Sequence, residues 1–236
     1  MGDRVAQRRG VLFDYAGVLT CPVDRSFAAF ERAYGIERGR VTELLVEASR
    51  TTDGGIIGAL EVGRLPIEGF EEALKGLLAS AGYTNTPSGG LLKGLFEGMT
   101  PEGGLWSVAL QIRAHGHRTA LVSNSWGTAG YPRRRLAQHF DATVISGEVG
   151  VRKPDPAIYR HACDAIGVAP EFCAFVDDLE HNVEVARKLG MLGIVHTGDD
   201  AATARALSGY LDLELLPGDS TRGRLPRASD RRRDGW

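Results

Sequence analysis

Cysteine is scarce in this chain. Cys21, Cys163 and Cys173 are the full complement, with no close-paired spacing among them. An odd number spread over 236 residues argues against a disulfide framework and for a reduced, cytoplasmic setting. No apolar run approaches the roughly 20 residues that span a bilayer. The stretch Met1 to Arg9 is polar and basic with no apolar segment behind it, so neither a membrane span nor a secretory leader is expected. An excess of one charge is also lacking. Lys and Arg number 28 against 30 Asp and Glu, a net charge of -2, which offers nucleic acid or an anionic membrane no general attraction. No glycine-rich phosphate loop of the nucleotide-binding kinds is found, so no nucleotide cofactor is expected.

What the chain does have is 43% hydrophobic residues, enough for a sizeable core. Five short apolar runs read as buried parallel strands: Val11-Leu12-Phe13, Ala120-Leu121-Val122, Thr143-Val144-Ile145, Ala174-Phe175-Val176 and Leu192-Gly193-Ile194-Val195. Helical stretches lie between them, at Trp106 to Ala114, Ala157 to Ile166 and Asn182 to Leu189, and Pro132 suits the start of another that ends at Phe140. Strand alternating with helix predicts an α/β fold, a doubly wound (Rossmann-like) parallel sheet.

Residues 20–100 break that rhythm. They hold amphipathic stretches at Phe27–Tyr34, Val41–Ala48 and Ile67–Ser80, punctuated by glycine, and read as an inserted α-helical unit. The division expected is therefore a core from residues 1–19 and 101–213 and a helical insert from 20–100. A basic, disordered tail follows over 214–236, since from Pro217 onward six arginines face three aspartates with almost no apolar residue.

The informative polar residues fall just after apolar runs. In open parallel sheets ligands bind outside the carboxyl ends of the strands, so Asp14, Ser123-Asn124 and Asp177-Asp178 are expected to converge on one crevice. Lys153, in a loop ahead of a helix, reaches the same edge. That set suits phosphoryl transfer. A carboxylate attacks phosphorus, and Asp14 and Asp177 hold Mg²⁺ against the repulsion of two anions. Lys153 neutralises charge, Ser123 donates a hydrogen bond to a phosphoryl oxygen, and Gly17 lets backbone approach the phosphate.

The segment Phe13-Asp14-Tyr15-Ala16-Gly17-Val18-Leu19-Thr20, then Val122-Ser123-Asn124, Lys153-Pro154 and Phe175-Val176-Asp177-Asp178 resembles, in order, the four motifs of the haloacid dehalogenase superfamily. The resemblance implies catalytic roles for Asp14, Ser123 and Lys153, and substrate contact at Gly17 and Asn124. It implies a metal held by Asp14, the Ala16 backbone carbonyl and Asp177, with Asp178 behind them. It makes the insert a cap over the site, and Gly58-Ala59-Leu60-Glu61-Val62-Gly63-Arg64 with Ile67 to Leu78 is similar to the subgroup of epoxide-hydrolase N-terminal phosphatase domains. The implied activity is hydrolysis of a phosphorylated small molecule, with no nucleic-acid or membrane partner.

One position departs from that pattern. Family phosphatases carry a second aspartate two residues after the nucleophile, and here it is Ala16. The carbonyl ligand survives, but general acid–base help worth about 10²–10⁴ in rate is lost. Four readings stay open: a phosphatase for good leaving groups or with another acid from the cap, a phosphonatase, a dehalogenase, and a non-catalytic phosphate-binding module. A phosphonatase needs a cap lysine, and the context of neither Lys75 nor Lys93 matches. A dehalogenase lacks the metal that Asp177-Asp178 resemble.

Blander roles are expected elsewhere. Asn182 reads as a helix cap, and Trp126 as packing or a substrate stack. Tyr15 is structural or faces the cap, and Cys21 is an inert thiol. His115, His117 and His139 are surface residues. Arg25, Arg50 and Arg64 are candidates for gripping anions that more plainly belong to a solvated face.

Overall fold

The computed structural model describes residues 8–50 and 54–218. Most of the expected tail and of the basic first stretch lies outside them. Five strands form one all-parallel sheet: β1 (Gly10–Phe13), β2 (Arg118–Ser123), β3 (Ala142–Ile145), β4 (Cys173–Asp177) and β5 (Leu192–Val195), in the spatial order β3-β2-β1-β4-β5. All five expected strands are present. The chain winds outward from β1 in both directions, and a sheet of this order opens a crevice at the carboxyl end of its central strands.

Period-two alternation gives the sheet two buried faces. Val11, Phe13, Leu121 and Val176 point into one core with Leu105, Trp106, Ile112, Phe140 and Leu207. Leu12, Val122 and Phe175 point into the other with Ile158, Tyr159, Ile166 and Val183. Helices α6 (Leu105–Ala114), α7 (Arg133–His139) and α11 (Asp200–Leu211) supply the first layer, and α9 (Pro156–Ile166) and α10 (Glu180–Lys188) the second. Asp155 caps α9, accepting from the Ala157 N–H at 2.8 Å with Pro156 in the first turn, a pairing that fixes where the helix starts. Cys163 and Cys173, ten residues apart, meet across α9 and β4 as free buried thiols with sulfurs 3.7 Å apart.

Between β1 and α6 run α1 (Val23–Tyr34), α2 (Arg40–Ala48), α3 (Gly55–Glu61), α4 (Ile67–Ser80) and α5 (Leu91–Phe96). They enclose an apolar core of their own, with Phe27, Phe30, Leu45, Phe70, Leu74 and Leu95 buried. Two short helices, α3 and α5, were not expected, because one or two turns are too short to show a period. Nor was α8 (Ser146–Val149), a single turn.

The start of the tail differs from expectation. Leu215 is buried in the first core beside Leu211. Leu216 exchanges hydrogen bonds with the Gln111 side chain, donating N–H at 3.1 Å and accepting at 2.7 Å. Leu213 and Leu215 are apolar enough to dock before the basic run begins.

Candidate active site

Asp14 follows the last residue of β1, and its N–H continues the ladder to the Val176 carbonyl at 2.9 Å. That bond sets it beside Asp177, the last residue of β4. Lys153 reaches the two carboxylates from the loop between α8 and α9. Its Nζ lies 2.6 Å from Asp14 Oδ1 and 2.7 Å from Asp177 Oδ2. Lysine is 2% exposed, Asp14 6% and Asp177 0%. Asp177 is further fixed by the Leu179 N–H at 2.8 Å and by the Asn182 amide, which donates at 3.1 Å to both oxygens.

Asn182 is therefore not the expected helix cap. It lies within α10, whose cap position is Leu179, and its side chain turns inward to Asp177. The run Glu180-His181-Asn182 looks like a helix start, and only the strand-end neighbour reveals where the amide goes.

Burial is the largest influence on these groups. It pushes the Asp14 carboxyl up to about 8, with Lys153 pulling down and Asp177 pushing the same way as burial. Burial, then Asp177, raises Asp178 to about 6. For Lys153 burial opposes the charge, but Asp14 and Asp177 outweigh it and hold the ammonium above its ordinary range. Carboxylate oxygens of Asp14, Asp177 and Asp178 lie within 4.8 Å of one another. Two of the three carboxyl groups pair with the one ammonium, and a hard divalent cation with oxygen ligands fits that donor set.

Gly17 adopts a left-handed φ of 79°, and a Cβ there would collide with the Asp178 carboxylate. The space a side chain would fill holds this carboxylate. Asn124 anchors the lysine loop. Its side chain clamps the Lys153 backbone, accepting from the N–H at 2.8 Å and donating to the carbonyl at 3.0 Å. Ser123, 2% exposed, holds its hydroxyl 2.8 Å from that of Tyr131.

The helical insert meets the site through Glu61, at the end of α3. This carboxylate is buried, pairs with Arg152, and accepts from Asn124 Nδ2 at 3.4 Å. Its backbone carbonyl accepts from the Ser146 hydroxyl, which in turn accepts from the Ser125 N–H at 2.8 Å. Burial raises the Glu61 carboxyl from its usual range, and Arg152 works the other way. Trp126 is a packing residue, edge-on to Phe27, Phe70 and Phe96 with centroids 5.8, 5.6 and 5.4 Å away. Tyr15 is buried against Trp106 and Tyr131 in the core. Arg25 is exposed, one of its guanidinium nitrogens donating to both oxygens of Glu102, and Cys21 is buried with its thiol on the Gly98 carbonyl. A cavity of about 330 Å³ opens between α3 and the lysine loop, its walls including Gly58, Val62, Arg64, Arg152 and Asp155. Sequence reasoning missed Tyr131 and Glu61, whose partners lie 8 and 63 residues away.

With the geometry in hand, comparison with known proteins is decisive on ancestry. A model of haloacid dehalogenase-like hydrolases matches residues 9–190. This chain belongs to that family. Among curated relatives, the haloacid dehalogenase-like chain is 26% identical over 224 residues to bifunctional epoxide hydrolase 2 of Sus scrofa, covering 88% of this chain and 40% of the relative. It is 40% identical over 90 residues to a phosphoserine phosphatase of Thermus thermophilus, covering 36% of this chain and 35% of that one. The chain thus spans less than half the length of these relatives. A haloacid dehalogenase family enzyme of Bacteroides thetaiotaomicron, solved with magnesium and inorganic phosphate, shares the fold at 21% identity and a TM-score of 0.60, covering 83% of this chain and 98% of that one. L-2-haloacid dehalogenase from Xanthobacter autotrophicus does so at 20% identity, a TM-score of 0.60 and 93% coverage of both chains. Among the described residues no helix is long and apolar enough to cross a membrane.

Proposed function

We propose that this haloacid dehalogenase-like hydrolase is a Mg²⁺-dependent phosphatase of a phosphorylated small molecule, acting through an aspartyl-phosphate on Asp14. The observation that carries the reading is the Lys153 ammonium between the buried Asp14 and Asp177 carboxylates, with Asp178 completing a group of three carboxylates at the strand ends. Similarity to phosphatases and to the phosphate-bound neighbour supports it.

Asp14, Asp177 and the Ala16 carbonyl would hold Mg²⁺, with Asp178 behind them. Bound there, Mg²⁺ would neutralise phosphoryl oxygens and orient the group for in-line attack. An Asp14 carboxylate oxygen bonds to phosphorus as the bond from phosphorus to the leaving oxygen breaks, and the leaving group departs with the electron pair. Water then attacks phosphorus, releasing inorganic phosphate and restoring the carboxylate. Lys153 offsets the charge of nucleophile and phosphoryl group, and Ser123 donates to a phosphoryl oxygen. Helices α1–α5 act as a cap that excludes water during the first step.

Ala16 supplies no proton to the leaving group, so the substrates favoured are acyl phosphates, anomeric phosphates and anhydrides, whose leaving groups need none. The same alanine supports a second reading, a phosphate-and-metal-binding module without turnover. Phosphate release from acetyl phosphate and p-nitrophenyl phosphate, measured with and without Mg²⁺, separates the two. Wild type is expected to release phosphate only with Mg²⁺, faster from acetyl phosphate, and Asp14→Asn not at all. Equal rates in the two proteins would defeat the enzyme reading.

A further inference from the structure

Tyr131 belongs to no motif, and the role given to it here rests on the phosphoryl-transfer reading above. The Ser123 hydroxyl has two neighbours, the Tyr131 hydroxyl at 2.8 Å and the Asn124 carbonyl at a longer 3.4 Å. Each hydroxyl owns one proton and can accept through its lone pairs, so in the pair either oxygen can donate. A phosphoryl oxygen removes that freedom, because it only accepts. If Ser123 spends its proton on Tyr131, it has none for the phosphoryl group. The arrangement that satisfies all three oxygens has Tyr131 donating to Ser123 and Ser123 donating outward.

The ring is held so that its hydroxyl meets Ser123. It packs on Tyr15 at 5.2 Å and lies under the Arg133 guanidinium at 5.6 Å, while the Arg133 N–H bonds to the Tyr131 carbonyl at 2.8 Å. Tyr15, next in sequence to Asp14, is braced edge-on by Trp106 at 6.5 Å. The tyrosine pair thus ties the segment after β1 to the segment after β2.

We propose that Tyr131 is a positioning residue that directs the Ser123 proton toward the transferring phosphoryl oxygen. Its phenol stays protonated, since burial raises it above its ordinary range. A ring that merely filled space under Ser123 would not need its hydroxyl.

Four proteins test this: wild type, Tyr131→Phe, Ser123→Ala and the double variant. Acetyl phosphate turnover with Mg²⁺ and affinity for inorganic phosphate with Mg²⁺ are measured for each, with melting curves to confirm folding. Tyr131→Phe is expected to lower kcat/KM about tenfold, with kcat falling more than KM rises, the size of one lost hydrogen bond to a developing charge. The double variant should be no slower than Ser123→Ala, because the tyrosine acts through the serine. Phosphate affinity should fall in Tyr131→Phe only while Ser123 is present. Losses that multiply in the double variant would overturn the proposal, as would unchanged turnover and phosphate affinity in Tyr131→Phe. Wild type that binds phosphate without turnover would instead sink the phosphatase reading, and the hydroxyl relay would then be judged from the four phosphate affinities.

Discussion

Lys153 is a buried ammonium placed between two buried carboxylates. Removing one partner from such a set leaves charge without compensation, a loss of about 3–5 kcal/mol in comparable buried pairs. Lys153→Met should therefore destabilise the fold by that order in the absence of metal and abolish turnover. Added Mg²⁺ should restore part of the stability, since it replaces the missing cation. Denaturant unfolding with and without Mg²⁺ reads this out, and a variant as stable as wild type, or indifferent to the metal, would contradict the charge account. At this scale the sequence was informative where chemistry and strand ends coincide. Asp14, Ser123, Lys153 and Asp177 could be placed together because each lies at a strand end or in a loop at the same rim of the sheet. Tyr131, Glu61 and the inward turn of Asn182 could not. Their partners are set by packing across the fold, and an isolated tyrosine or asparagine carries no pattern.

At the scale of elements, two junctions hold the site in shape. Trp126 joins the segment after β2 to the helical insert through three phenylalanines. Trp126→Ala should leave a cavity there, costing less than the roughly 3–5 kcal/mol of a fully buried tryptophan, and should raise KM more than it lowers kcat. Steady-state kinetics on acetyl phosphate decides between that and an unchanged KM.

The second junction is Asp141, which fixes the opening of β2. It accepts from the Thr119 N–H at 2.9 Å and pairs with Arg113 at 3.3 Å and Arg118 at 3.1 Å. Burial opposes its ionisation, but these donors outweigh burial and hold the carboxyl below its ordinary 3.8. A carboxyl lowered in the folded state contributes stability above the unfolded value of 3.8, and that contribution is lost as pH falls through the folded value. Asp141→Asn should cost about 1–3 kcal/mol at neutral pH, with the gap closing in acid and per-molecule activity unaffected. Unfolding curves against pH check the sign, and a gap that widens in acid would reverse it. Long elements such as α4 were legible from their period, with its bounds at Ile67–Ser80 read from sequence as they stand in the structure. Short ones such as α3 and α8 were not, because one or two turns show no period and their contacts with the core decide them.

At the scale of the molecule, a parallel sheet gathers charge at one rim, and a helical insert with its own core meets that rim through Glu61. Family membership follows from the whole core, while the departure at Ala16 sits at a single position. If that alanine removes the acid–base group, Ala16→Asp should raise turnover of alkyl phosphates such as glycerol phosphate, whose leaving groups are poor, by up to about 10²-fold, with less effect on p-nitrophenyl phosphate and acetyl phosphate. No gain would mean that another group already fills that role. The alanine has a further consequence: without a base to activate water, the second step should lag the first, and the covalent intermediate should accumulate. The most direct test of the account is therefore to quench wild type with acid during acetyl phosphate turnover with Mg²⁺ and to map phosphoryl groups by mass spectrometry. The account predicts one acid-stable phosphoryl group on the peptide bearing Asp14, absent without Mg²⁺ and absent from Asp14→Asn. Steady turnover with that peptide unmodified, and undiminished in Asp14→Asn, would contradict it.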